Sequence, residues 1–292
     1  MENIIKKFKI SSGDKFELKN HPTDYAANYK KEDAEAVLAG IISQITTLQT
    51  ELYAENKHAL LIIFQAMDAA GKDSAIAHTM SGLNPQGCQV YSFKQPSEEE
   101  LDHDFLWRHY EALPERGRIG IHNRSHYENV LVCKVHPEIV LSQRIPGVDS
   151  LQQIDDTFWK NRYESIRGVE KHLSVNGTTV IKFFLNVSKD EQRDRFLKRI
   201  DDPEKNWKFS SADIEERKYW DDYMNAYQKA INETATNEAP WFVIPADKKW
   251  FTRIAISTIM LEVLKDMKLK YPVLDKKEKE KLDEAAKLLK KE

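Results

Sequence analysis

The sequence predicts an α/β fold, a parallel sheet covered by helices on both faces. Two observations lead to that expectation. Five short apolar runs alternate with segments of helical periodicity, as they do where helices form the crossovers between parallel strands. The first of those runs also passes directly into a Gly-Lys loop, and a loop between a strand and a helix N-terminus is where such folds hold phosphate.

In chain order, residues 1–31 are polar and irregular, with turn signals at Ser11-Ser12-Gly13-Asp14 and His21-Pro22. They read as an arm lying over a core made elsewhere. From Lys31 to Asn56 the spacing of Ala34, Val37, Leu38, Ile41, Ile42, Ile45, Leu48 and Leu52 fits one amphipathic helix. Ala59–Phe64 is apolar throughout, as a strand buried on both faces is. Val90–Phe93, Ile119–Asn123, Val180–Leu185 and Trp241–Ile244 are the other predicted strands. A helix is expected from Ser97, where Glu98, Glu99 and Glu100 suit the positive end of the helix dipole. Ile254–Leu269 is the last helix before the tail. The polar stretch from Asp201 to Trp220 reads as a mobile lid, and Asp275–Glu292 as a Lys/Glu-rich helix facing solvent or a partner. One domain is expected over 1–292, with an N-terminal arm and helix to about 57, a lid over about 200–222 and the charged helix over about 275–292.

The bulk composition narrows the function. A net charge of −3 lacks the basic excess of a protein built around nucleic acid. Two cysteines, Cys88 and Cys133, do not make a disulfide scaffold. No segment reaches the roughly 20 apolar residues that span a bilayer, and no signal peptide is visible at the N-terminus. A cytoplasmic protein is expected.

The loop Ala66-Met67-Asp68-Ala69-Ala70-Gly71-Lys72-Asp73-Ser74 matches the general phosphate-loop pattern at Gly71 and Lys72 and departs from it twice. Ala66 replaces the first glycine, which disfavours a left-handed backbone there. Asp73 replaces the Ser/Thr hydroxyl, and Asp68 adds a second carboxylate. Two acids in a phosphate cradle would repel the ligand unless metal ions stood between them, and Mg²⁺ prefers such hard oxygen ligands.

Met67–Asp73 resembles the phosphate loop of the polyphosphate kinase 2 family. A second block, Gly117-Arg118-Ile119-Gly120-Ile121-His122-Asn123-Arg124-Ser125-His126-Tyr127-Glu128-Asn129-Val130-Leu131-Val132, is similar to that family's second motif. Asn84-Pro85-Gln86-Gly87 and Asp104-Phe105-Leu106-Trp107-Arg108 match it too, and the resemblance runs from about Phe16 to Lys265. His122 and Asn129 stand where many relatives carry Phe and Asp. The resemblance implies a P-loop kinase fold like that of thymidylate kinase, three layers with a helical lid. It also implies Mg²⁺, with Mn²⁺ as the other candidate, and phosphoryl transfer from inorganic polyphosphate to nucleotides. The two shorter blocks look most like members that accept both nucleoside mono- and diphosphates. Expected partners are polyphosphate, nucleotides and further copies of the chain, with neither nucleic acid nor membrane.

Phosphoryl transfer needs positioning and charge neutralisation more than covalent chemistry. Lys72 is the residue expected on the transferring group, with Ala69, Ala70, Gly71 and Ser74 in the cradle. Asp68 and Asp73 are metal candidates, and Asp68 can also orient the attacking oxygen. The second motif follows its strand to the carboxyl edge, where ligands bind in open α/β sheets, so Asn123, Arg124, Tyr127 and Glu128 are expected to face the loop. Arg124 can fork onto two phosphate oxygens; Glu128 can hold metal or lock Arg124. A long polyanion calls for a basic channel, for which Arg118, Arg162, Arg167, Lys171, Arg193, Arg195, Lys198, Arg199, Lys205 and Lys208 are candidates, Arg167 and Arg199 first among them. Trp107, Trp207 and Trp220 could stack on a base, although core packing is the more ordinary reading, and no histidine spacing suggests a metal site. Competing readings are an ATP-dependent nucleoside monophosphate kinase on the same fold, and a polyphosphate- or nucleotide-binding module without turnover.

Overall fold

The computed structural model describes residues 2–292, with only the backbone described at Glu2, Asn3 and Lys208. The strands are β1 Lys9–Ile10, β2 Ala59–Ala66, β3 Cys88–Ser92, β4 Ile119–Asn123, β5 Thr178–Asn186 and β6 Trp241–Pro245. They form one sheet in the order β1-β6-β5-β2-β4-β3. Every pairing is parallel except that of β1, which runs antiparallel to β6. The helices are α1 Glu2–Phe8, α2 Ala34–Glu55, α3 Lys72–Thr79, α4 Glu98–Leu101, α5 Trp107–Tyr110, α6 Val132–Val135, α7 Glu138–Leu141, α8 Asp156–Val175, α9 Lys189–Asp201, α10 Ser211–Glu216, α11 Trp220–Thr234, α12 Lys249–Asp266 and α13 Lys276–Leu289.

The β2 strand lies at the centre because Ala59 to Phe64 are apolar throughout and its one polar residue, Gln65 near the carboxyl end, is bonded to Ser125 at 3.1 Å. Leu60 to Phe64 pair with Ile119 to Asn123 on one side and with Thr179 to Phe183 on the other. All five side chains are buried; each large one removed from water stabilises the fold by roughly 1.5–3 kcal/mol. Helix α12 packs against α1, α2 and α3 on one face, and α8 packs against β5 and α11 on the other. That is the three-layer α/β arrangement expected of a P-loop kinase.

Two regions differ from expectation. The N-terminal arm does not merely overlie the core: Ile4, Phe8, Ile10 and Phe16 are buried in it, and Lys9 and Ile10 add a sixth strand beside Trp241 and Phe242. A strand of two residues has no periodicity to read, and its apolar neighbours are scattered among lysines. The Ser97 helix exists, with a reciprocal capping box between Ser97 and Glu100, but it lasts one turn. The polar stretch after α9 folds into short turns and α10 before reaching α11. Helix α13 and the residues after Lys270 are exposed throughout.

Candidate active site

The parallel register brings three connections to one edge of the sheet. Strand β2 leads into the loop 67–71, β4 into 124–128, and β6 into 246–248. Gly71 opens α3 with φ at 98°, a conformation glycine adopts without penalty. Ala66 is not a strained position. It is the last residue of β2, in register with Leu185, so a methyl in place of the first glycine costs nothing. The left-handed non-glycine residues near the site are Ala69 (φ 57°) and Arg124 (φ 63°). Each such residue costs about 1–3 kcal/mol and persists only where its surroundings hold it.

The surroundings are specific. Arg195 on α9, buried, donates from Nη1 to the carbonyls of Ala69 (3.1 Å) and Ala70 (2.6 Å). From Nη2 it donates to Ala246 (2.6 Å) and Asp247 (3.1 Å), and its Nε bonds Glu191 at 2.8 Å. Gln192 donates to the Asp68 carbonyl at 2.9 Å. With these carbonyls turned toward α9, the loop presents amides on its other side. The amide of Ala70 is an exception, since it donates to Met67 within the loop (3.2 Å), so it is not part of the cradle as expected. The first amides of α3 have no intrahelical acceptor and remain for an anion. Ser74 accepts from Arg253 on α12 at 2.9 Å.

Lys72 is buried, and burial holds its ammonium below the usual lysine range, with nearby Arg124 acting in the same direction and Asp68, Glu128 and Asp73 opposing it. The second motif supplies the facing wall. Asn123 donates to Asp73 at 2.8 Å and to Ser92 at 3.3 Å. Arg124 bonds Asp68 at 2.9 Å and stands 4.0 Å from Glu128. Burial raises the Glu128 carboxyl above its ordinary range, while Arg124 and Lys72 work against that shift. Asp68, Asp73, Lys72, Asn123, Arg124 and Glu128 therefore occupy one site. Among the described residues no three acidic or histidine side chains converge on a common metal position. The acids do offer hard oxygens, and a Mg²⁺ ion commonly takes one or two carboxylates together with substrate phosphates.

Three expected contacts are elsewhere. Tyr127 does not face the loop: its hydroxyl donates to Glu170 at 2.7 Å and accepts from Lys182 at 3.1 Å, all three fully buried. Lys182 also donates to Glu170 at 2.6 Å and to the Thr234 carbonyl at 2.8 Å, so its three protons are satisfied. This cluster ties the second motif to α8, β5 and α11. Its one legible signal is a lysine inside the apolar run Val180–Leu185. Arg118 precedes β4, at the opposite edge of the sheet, and stacks on Tyr53 at 4.2 Å. Arg167 is spent on the Glu233 carbonyl at the end of α11.

Of the other channel candidates, Arg162 is buried between Phe105 and Phe158 and bonds Gln143 at 2.6 Å. Arg193 pairs with Asp190 and Asp194, and Lys205 with Asp202. Arg199 pairs with Asp213 of α10 at 3.5 Å. The side chain of Lys208 lies outside the described residues. Trp220 is buried, Trp207 is exposed, and Trp107 is half-buried against His103 (4.0 Å between ring centroids). Asn129 points away from the loop, accepting from Gln143 at 2.9 Å. The residue misjudged most was Arg195, expected in a solvent channel. Its signal was position: nearly two turns into the helix after β5, a strand beside β2.

A parallel sheet with a Gly-Lys loop at its carboxyl edge and an arginine–carboxylate wall opposite defines a P-loop kinase. Residues 28–272 match the family model of Polyphosphate kinase 2, and the chain belongs to that family. An ADP-polyphosphate phosphotransferase of Rhodopseudomonas palustris is 52% identical over 273 residues, 93% of each chain. An AMP/ADP-polyphosphate phosphotransferase of Meiothermus ruber is 43% identical over 270 residues, 92% of this chain and 96% of the other. The crystal structure of Polyphosphate Kinase 2 from Arthrobacter aurescens superposes with a TM-score of 0.84 at 39% identity, covering 93% of this chain and 92% of that one.

Proposed function

We propose that the chain transfers a phosphoryl group from inorganic polyphosphate to nucleoside mono- and diphosphates, AMP to ADP and ADP to ATP, reversibly. The observation that supports this best is the meeting of Lys72, Asp68 and Asp73 with Asn123 and Arg124 across one cleft. The Rhodopseudomonas relative is named for ADP and the Meiothermus relative for both AMP and ADP, which supports a diphosphate acceptor from two relatives and a monophosphate acceptor from one. A terminal phosphate oxygen of the nucleotide attacks the end phosphorus of the chain. A new P–O bond forms, the P–O–P bond to the next phosphate breaks, and the donor leaves one unit shorter. The acceptor oxygen is already anionic, so no strong base is needed. Lys72 and Arg124 lower the repulsion between the two anions, and the amides at the start of α3 orient the transferred group. Asp68, released from Arg124 when phosphate takes its place, can order the acceptor. Mg²⁺, or Mn²⁺, held by Asp73 and Asp68 with Glu128 behind them, supplies further charge neutralisation when bound.

The turns and α10 between α9 and α11 form the lid in this reading. Asp213 holds Arg199, and its carboxyl is raised by partial burial and by the charge of Asp68, which puts the lid within electrostatic reach of the site. A cytoplasmic location fits the finding that no helix among the described residues is long and apolar enough to cross a membrane.

The test is product analysis with Mg²⁺, polyphosphate and each of AMP, ADP, GMP and GDP, without ATP. New nucleotide phosphate is expected with the adenine acceptors. Lys72→Ala and Asp73→Asn are each expected to lose about 100-fold or more in kcat with an unchanged circular dichroism spectrum. No product from any acceptor would refute the reading.

A further inference from the structure

Helix α11 packs against α8 and against the turn of the second motif, His126–Val130. Its buried face includes Tyr223, Tyr227, Ala230 and Thr234, spaced as one side of a helix repeats. At the C-terminal end the Thr234 carbonyl accepts from Lys182 of β5 at 2.8 Å, and the Thr234 hydroxyl accepts from Trp241 of β6 at 2.9 Å. From that anchor the helix runs back along β5. Tyr227 stacks on Phe184, with ring centroids 4.2 Å apart and planes 24° apart. Phe184 is in register with Gln65, and Gln65 bonds Ser125 of the second motif at 3.1 Å. Tyr227 therefore stands at the carboxyl end of the sheet, where the phosphate loop and the second motif meet. It lies about 10 Å of helix from Thr234, and helical side chains lean toward the helix N-terminus, here toward the cleft. Only 4% of Tyr227 is exposed. Its hydroxyl bonds no other group among the described residues, and unlike the Tyr163 hydroxyl it is not sealed from solvent. The small exposed part of the residue includes that oxygen. Burial first, then Glu128 and Asp68, holds the phenol well above the ordinary tyrosine range, with Arg124 also in reach and opposing them. At neutral pH it is a donor and not a further anion.

A hydroxyl left without a partner inside a protein costs stability, and such groups call for an explanation at the site they face. We propose that the Tyr227 hydroxyl donates a hydrogen bond to the terminal phosphate of the acceptor nucleotide, beside Arg124 and across the cleft from Lys72. This rests on the polyphosphate reading of the site and names one more contact within it. Lys72 and the first amides of α3 hold the transferred group on the loop side. Asp68, Arg124 and Glu128, the groups around Tyr227, are those that meet the acceptor. The stack on Phe184 fixes the ring, so the oxygen is in place before the nucleotide arrives. A neutral donor there binds phosphate without competing for the Asp68 and Glu128 carboxylates, as one more cation would.

Tyr227→Phe deletes the oxygen and keeps the stacked ring, so an unchanged circular dichroism spectrum and melting temperature are expected. The test compares steady-state kinetics over ranges of ADP, AMP and polyphosphate with calorimetric titration of ADP in Mg²⁺ without polyphosphate. The KM and Kd for ADP are expected to rise about tenfold, as for the loss of a hydrogen bond to a charged group, and the KM for AMP with them. The KM for polyphosphate is expected to move less than about twofold. Equal KM and Kd for ADP in the two proteins would overturn the proposal. A rise confined to the KM of polyphosphate would also overturn it, by giving the hydroxyl to the donor. So would a fall in kcat alone, which would make Tyr227 a support for Glu128 and not a contact of the nucleotide. A fall in melting temperature with both KM values raised would assign the hydroxyl to packing and overturn it as well. A wild type that binds ADP but turns over no polyphosphate would refute the underlying reading, and the ADP titration would still decide the role of Tyr227.

Discussion

Arg195 meets five acceptors with one guanidinium: Glu191 and the carbonyls of Ala69, Ala70, Ala246 and Asp247. A planar fork can join two loops in this way; an ammonium, whose donors radiate from one atom, cannot span them. Arg195→Lys is therefore expected to fold yet lose about tenfold or more in kcat/KM, since a loop shifted by even an ångström misplaces the reacting group. Arg195→Ala is expected to lower the melting temperature as well, because each buried carbonyl left without a donor costs about 1–3 kcal/mol. Steady-state kinetics and thermal unfolding measure both, and wild-type kinetics in Arg195→Lys would remove its positioning role. At this scale the sequence was legible only in part. Lys72, Asp73, Asn123 and Arg124 follow from the order of strand, loop and helix. Tyr127 does not, because one residue's step around a 3₁₀ turn separates a side chain in the cleft from one fully buried against Glu170. Which way that turn faces is decided by a partner 43 positions away.

Among the elements, the strands were the most legible, since β2, β4, β5 and β6 are buried on both faces and read as apolar runs. Three histidines from separate elements were not: His109 of α5, His122 of β4 and His126 of the turn after it, all buried. Ring centroids of His109 and His126 lie 5.5 Å apart, and those of His109 and His122 lie 6.0 Å apart. Burial is the main cause that holds His126 at about 3 and His122 at about 4, the latter against a hydrogen bond to the Ala112 carbonyl (3.0 Å), and it depresses His109 further. In the unfolded chain these imidazoles take up protons near pH 6.5. Below that pH the unfolded state binds more protons than the folded one, so stability is complete above about 6.5 and declines toward 4 and 3. Each of the three is expected to remove about 2 kcal/mol between pH 7 and 5. His122→Phe is expected to make the acid slope shallower by one proton. Denaturant unfolding at pH 7, 6 and 5 checks this, and equal slopes for both proteins would show that His122 is protonated in the folded state.

For the whole molecule, the three layers followed from alternation alone, but the place of the two chain ends did not. The N-terminal arm enters the core through Ile4, Phe8 and Ile10, so polarity of composition was a poor guide where a few apolar residues are well placed. The C-terminal end is the reverse case. Leu269 is the last buried residue, the family match stops at residue 272, and α13 exposes Leu282, Leu288 and Leu289 without any covering element among the described residues. Its order comes from local terms: the capping box of Asp275 and Glu278, worth about 1 kcal/mol, and pairs such as Lys276–Glu280 at 3.9 Å. A helix of 14 residues held by such terms alone is marginal in water. Truncation after Lys270 removes no buried side chain, so it is expected to change stability by less than about 1 kcal/mol, a shift of only a few degrees in melting temperature. The far-ultraviolet helical signal should fall by less than 14 ordered residues would give, because the isolated helix frays. Turnover with polyphosphate should persist, since the residues of the site, Asp68 to Asp73 and Asn123 to Glu128, lie outside the tail and the tail buries no side chain. A large drop in melting temperature at high dilution would show that the tail covers the core of its own chain. A drop seen only in concentrated samples, with a change in sedimentation, would assign those exposed leucines to contacts between copies.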